Sequence, residues 1–104
     1  MRLQIEEYEI PEHTLTNISL IPGTPTVTFS GMAQDQQGIQ IMNRLRKLEK
    51  KATAIHYEAV DLMGIRSTGV CRINNLKFEE ITTAPLLIIF SGELVEPDSP
   101  ESRT

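Results

Sequence analysis

Residues 36–52, QQGIQIMNRLRKLEKKA, decide how this chain is read, because no other stretch carries a helical period. Ile41, Leu45, Leu48 and Ala52 stand at i, i+4, i+7 and i+11, with Met42 beside them, so they form one apolar stripe of an α-helix. Asp35 is read as its N-cap, and the helix is expected over about residues 36–52. Arg44, Arg46, Lys47, Lys50 and Lys51 lie off the stripe and make up half of the ten Lys and Arg residues. They crowd toward the C-terminal end, where cations complement the helix dipole. This basic face is either a solvated helix surface or an electrostatic contact for an acidic patch on a neighbouring subunit.

Around that helix the pattern is extended. In residues 2–10, Leu3 and Ile5 alternate, then Tyr8 and Ile10 resume one residue out of phase after Glu6-Glu7, which predicts a strand with a bulge. Pro11 stops it, and Leu15, Ile18, Leu20 and Ile21 predict a second strand running to a Pro22-Gly23 turn. Pro25 introduces Thr26-Val27-Thr28-Phe29-Ser30, a β-branched alternation expected to end at Gly31.

Beyond the helix, residues 54–60 and 70–78 alternate as two more strands. Cys71 and Ile73 share one phase while Leu76 and Phe78 share the other, so a bulge is expected at Asn74-Asn75. Residues 62–69, with Leu62, Met63, Ile65 and two glycines, read as the hairpin connection, with a mobile tip. Pro85 opens the last strand, and residues 86–90, LLIIF, are apolar on both phases, as suits a central strand or one covered on both faces. Thr28-Phe29-Ser30-Gly31-Met32 is echoed by Ile89-Phe90-Ser91-Gly92-Glu93, which places a Phe and a Gly equivalently in two strands that could be neighbours. Residues 96–104 are polar and Pro-rich, and are expected to form a flexible tail. The sum is mostly β (α+β): a single domain over residues 1–95, an antiparallel β-sandwich or barrel with one flanking amphipathic helix.

Composition narrows the function classes. Of the 104 residues 39% are apolar, Trp is absent and aromatics make up 5%, so aliphatic side chains must build a thin core that would gain from neighbours. A net charge of −4 makes direct nucleic-acid binding an unfavoured role, since phosphate contacts draw on Lys and Arg. Cys71 is the one cysteine, which excludes an intramolecular disulfide and fits a reducing, cytoplasmic setting. The first residues lack the apolar run of a signal peptide, and no stretch approaches the roughly 20 apolar residues of a membrane span, so no membrane partner is expected.

Catalytic candidates fail on pattern. His13 sits in a Pro-Glu-His-Thr turn and His56 in an alternating strand, and neither has a nucleophile motif beside it. A zinc site from His13, His56 and Cys71 would need an unforeseen fold to unite them. Glu6-Glu7 and Glu79-Glu80 are strand neighbours whose side chains are expected on opposite faces, not as carboxylate dyads. The six glycines are scattered and build no phosphate loop. No cofactor, metal or enzymatic activity is expected.

From Pro25 onward the order of features resembles bacteriophage tail proteins of the tail-tube type, a fold shared with tail-terminator and some baseplate ring proteins. The stretches concerned are Pro25-Thr26-Val27-Thr28-Phe29-Ser30-Gly31, then Gly38-Ile39 and the helix with Leu45 and Leu48. They are followed by the hairpin with Gly64 and Gly69, and by Leu87-Ile88-Ile89-Phe90-Ser91-Gly92-Glu93-Leu94. The resemblance implies a β-sandwich with one helix whose copies close into rings, commonly six-fold. It also implies other tail proteins as partners and a virion component assembled in the host cytoplasm.

The leading expectation is therefore a structural assembly protein, a homo-oligomer whose subunit interface includes Leu62, Met63 and Ile65. Three apolar residues within four beside a glycine either dock on another subunit or fold back onto the core. The alternative function is a small cytoplasmic binding module, either an oligonucleotide-binding-like barrel or a protein adaptor.

Overall fold

The computed structural model describes residues 1–21, 26–51 and 54–97. Along the chain lie β1 (Arg2–Ile5), β2 (Tyr8–Ile10), a 3-10 turn (Glu12–Thr14), β3 (Leu15–Leu20), β4 (Val27–Gln34), α1 (Asp35–Glu49), β5 (Ile55–Val60), β6 (Arg66–Ile81) and β7 (Leu87–Val95). The strands make one antiparallel seven-stranded sheet in the order β2-β1-β5-β6-β7-β4-β3.

Strand β6 is the spine of that sheet. Its residues up to Cys71 pair with β5, and from Arg72 onward it pairs with β7 on its other side. The outermost strands β2 and β3 are consecutive in sequence, with only residues 11–14 between them. Five Cα steps reach at most about 18 Å, whereas the outer strands of a flat seven-stranded sheet would lie about 29 Å apart. The sheet must curl so that its halves face each other. One buried cluster accordingly takes Leu3, Ile5 and Ile10 from one half, Ile18, Phe29, Phe90 and Leu94 from the other, and Ile41, Leu45 and Leu48 from α1. The mostly-β architecture with one flanking helix is thus what forms.

The echo between the two Phe-Ser-Gly stretches is a true adjacency. In the β4–β7 pair, Phe29 lies opposite Gly92, Phe90 opposite Gly31 and Ser30 opposite Ser91. Each ring occupies the space that a side chain on the facing glycine would need: a Cβ at Gly31 would overlap the Phe90 ring and the Thr14 carbonyl oxygen, and one at Gly92 would lie 2.9 Å from Phe29 Cζ. Gly31 is therefore the middle of β4, which runs on to Gln34. The strand end expected at Gly31 is corrected by the need for a bare backbone beneath Phe90.

Helix α1 approaches the sheet at Gly38, where a Cβ would stand 2.9 Å from the Ala33 carbonyl oxygen and 3.2 Å from Ile88 Cβ. Ile41, Met42, Leu45 and Leu48 are buried as the stripe requires. Asp35 does not cap it. Its φ of 51° is left-handed, its N–H donates to the Leu86 carbonyl (2.9 Å) and its Oδ1 accepts from the Leu86 N–H (3.1 Å), so it ties the helix start to the head of β7 while Gln34 holds the cap position. The helix ends at Glu49 rather than near residue 52, with Lys51 N bonded three residues back to Leu48 O in a tightened last turn.

Two further corrections concern turns. The phase slip at Glu6-Glu7 marks a two-residue hairpin between β1 and β2, with Ile5 opposite Tyr8 and Glu6 at φ 55°, and not a bulge. Glu6 N donates to His56 O (2.8 Å), which fixes the turn against β5. The hairpin connection after β5 is residues 61–65 alone, because residues 66–69 already pair with β5. The register shift between Asn74 and Lys77, with Asn75 at φ 52°, is the bulge expected there. The Pro22-Gly23 turn, Pro25, Ala52 and most of the expected tail (residues 98–104) lie outside the described residues.

Candidate assembly surface

The β5–β6 hairpin is an arm. At its base Ile55 and Cys71 face each other and are both buried, and Tyr57 and Ala59 are buried on the same face of β5. Farther out, Thr68, Gly69 and Val70 of β6 are exposed although they sit in a paired strand. Tyr57 lies opposite Gly69 and its hydroxyl shares a hydrogen bond with Ser67 Oγ (2.9 Å). On the other face Arg66 Nε meets Glu58 Oε2 at 3.3 Å, and Arg2 reaches Glu9 (3.2 Å) and Glu58 (3.8 Å). Exposed ion pairs of this kind contribute about 0–1 kcal/mol each, so they set register more than stability.

The tip is tied down by one aspartate. Asp61 N donates to Ile65 O and Gly64 N to Asp61 O, both at 3.0 Å, while Asp61 Oδ1 accepts from Met63 N and Ile65 N, both at 2.9 Å. Gly64 supplies the left-handed φ of +86° that the turn needs. These bonds lie inside the turn, and the apolar side chains are left at the surface. Leu62 is 78% exposed, Met63 83% and Ile65 59%, so none folds back onto the core, and Val70, toward the base of the arm opposite His56, is 44% exposed. Sequence reading missed both Asp61 and Val70; an Asp opening a Gly-containing turn is the signal that could have found the first.

The five basic residues of the helix do not form one free patch. Lys51 Nζ pairs with Glu6 Oε1 at 3.6 Å, the Arg44 guanidinium lies over the Tyr8 ring at 5.6 Å, and that of Arg46 over Phe78 at 4.9 Å. These contacts turn three of the charges onto their own chain. Lys47 joins Arg44, Tyr8, Pro11 and Ile41 in lining an open groove of about 490 Å³ between the helix and β2, and Lys50 is exposed at the helix end. Glu6 Oε2 also accepts from His56 N (2.8 Å). That backbone bond outweighs the opposing effect of burial and, with a lesser pull from Lys51, holds the Glu6 carboxyl below its ordinary value.

The residues weighed for chemistry stay apart in role. His13 Nε2 bonds to Gln37 Oε1 (3.0 Å) at the surface, and His56 is exposed. Cys71 is fully buried, and desolvation, with Glu6 adding to it, pushes its thiol up to about 12, far from a reactive thiolate. Glu79 and Glu80 are both exposed on β6. Among the described residues no group of three His, Cys, Asp or Glu is placed to hold a metal ion, and no helix is long and apolar enough to cross a membrane.

Strand β7 is central, between β6 and β4. Its inward residues Ile88, Phe90, Gly92 and Leu94 are buried, while the outward ones are half-buried. Ile89 faces Met32 across the β4 pair, and Leu87 faces Ile81 across the β6 pair, so a second apolar area lies on the outer side of the sheet. Comparison with protein-family models, with curated proteins and with solved structures finds no match to this chain.

Proposed function

We propose that this protein is a structural assembly component that self-associates through the β5–β6 arm, as part of a phage tail or baseplate ring. The observation that carries the reading is the tip, where Leu62, Met63 and Ile65 sit on a turn in which Asp61 accepts from three backbone N–H groups, and are 78%, 83% and 59% exposed. An apolar tip on a rigid support costs solubility unless a second surface covers it. The order of strands, helix and glycine-bearing hairpin that resembles tail-tube-type proteins favours a virion setting, with other tail proteins as further neighbours. The net charge of −4 favours protein partners over nucleic acid.

Met63→Asp tests the role of the arm. The substitution places a charge on a residue that touches no core, so far-ultraviolet dichroism and the unfolding midpoint should stay as in the unmodified chain while the oligomer is lost or shifts to smaller species. A variant that assembles normally would contradict the reading.

A further inference from the structure

Among the described residues, no strand pairs with the outer side of residues 66–70 of β6. In an antiparallel pair, facing residues alternate between those that exchange backbone hydrogen bonds and those whose N–H and C=O point outward. The bond from Asp61 N to Ile65 O marks the bonded phase at the arm's end. Counting along the register of β5 and β6, Ser67, Gly69 and Cys71 turn their backbone groups toward β5, and Arg66, Thr68 and Val70 turn theirs the other way. From Arg72 onward that other side is filled by β7, with Arg72 opposite Val95. The same register would set Pro97 opposite Val70, and a proline has no N–H to give. The β7 ladder stops at Val95 accordingly, and among the described residues no strand pairs with the outward side of Arg66, Thr68 and Val70.

We propose that this edge pairs with the same edge of a second copy of the chain, antiparallel, about a two-fold axis at Thr68. The inference rests on the reading of the protein as a self-assembling component, and it specifies one contact. The outward residues are symmetric about Thr68, so self-pairing sets Thr68 against Thr68 and Arg66 against Val70, twice, and each facing pair can exchange two backbone bonds. No like charges face each other, and a Thr–Thr pair is among the favourable cross-strand combinations. Ile65 would fall opposite Cys71 of the second copy, so the exposed Ile65 and Val70 side chains both gain cover. Of the usual edge guards only the charge of Arg66 is present: residues 66–70 hold no proline, and the one register shift in β6 lies beyond them, between Asn74 and Lys77. Such a contact is isologous and closes at two copies, so ring closure takes a separate head-to-tail contact elsewhere on the chain.

A disulfide scan of the full chain tests the axis. Residues facing each other in a bonded antiparallel pair have Cα atoms about 5.5 Å apart, inside the range of about 4.4–6.8 Å that a disulfide spans. Thr68→Cys should therefore give, on mild oxidation, a covalent dimer that accounts for most of the protein on a non-reducing gel. Arg66→Cys alone should stay largely unlinked, and the double variant R66C/V70C should link again. Cys71, buried and un-ionised, does not compete. Dichroism of each variant confirms that it is folded. If the unmodified chain forms oligomers but Thr68→Cys does not link, or if Arg66→Cys links as readily as Thr68→Cys, the two-fold edge is overturned and the assembly reading survives. If the unmodified chain is a monomer at every concentration, both fall.

Discussion

The β4–β7 seam and the β5–β6 arm are built with the same device and put it to different ends. Both set an aromatic ring opposite a glycine: Phe29 on Gly92 and Phe90 on Gly31 in the seam, Tyr57 on Gly69 in the arm. In the seam a Cβ at Gly92 would come within 2.9 Å of the ring, whereas one at Gly69 would meet Tyr57 Cε1 at an ordinary 3.6 Å. The seam is flanked by strands on both sides and closed over by the core cluster. The arm has β1 on one side and, among the described residues, no strand beside residues 66–70 on the other. The lesson is that pairing alone does not bury a strand; the layer facing it does.

The largest expected break of this contrast is Phe90→Ala. Phe90 is fully buried, and removing such a ring costs about 3–5 kcal/mol, so the unfolding midpoint should drop steeply in a denaturant titration. Gly31→Ala comes next: its methyl group meets the Thr14 carbonyl as well as the Phe90 ring, and overpacking of this kind costs about 1–3 kcal/mol. Met63→Asp in the arm should move stability by no more than about 0.5 kcal/mol, as for surface positions generally, while it removes association. A Met63→Asp chain that unfolds would erase the distinction between seam and arm.

The smallest expected effect is a pH dependence at Glu6. Its carboxyl is held low by the His56 backbone N–H and then by Lys51, so its contribution is present above the unfolded carboxylate range, near pH 4.3, and is lost as pH falls through the lowered folded value. Glu6→Gln should make the unfolding midpoint flatter over that acid window than in the unmodified chain. An unchanged acid slope would show that Glu6 gains nothing from these contacts.

Much of the body was legible in residues. The i, i+4, i+7 stripe of Ile41, Leu45 and Leu48 is a strong local period, and all three are buried. The Phe-Ser-Gly echo marked two strands that do pair, because a ring and a missing side chain are complementary in space. What stayed hidden were choices that distant contacts make. Asp35 looks like a cap by position, yet its partner is Leu86, fifty-one residues away. The slip at Glu6-Glu7 fits a bulge or a turn equally well until β5 supplies His56 to hold the turn.

The candidate surface was legible by composition and not by extent. Leu62, Met63 and Ile65 stand out as apolar residues beside a glycine, and they are exposed. The open edge of residues 66–70 could not be read from them, because it depends on where β7 ends relative to β6. That end becomes meaningful only when Val95 is seen opposite Arg72 and Pro97 falls in the next bonding position. The basic helix face misleads in the opposite sense: its charges are close together in sequence, but Arg44, Arg46 and Lys51 find partners on their own chain.

The central claim is that the chain assembles with itself, and the most direct test is its mass in solution by light scattering across a wide concentration series. The account expects a mass that exceeds one chain and rises with concentration to a defined plateau at a whole number of copies. A mass of one chain, constant up to the highest concentration reached, would contradict it.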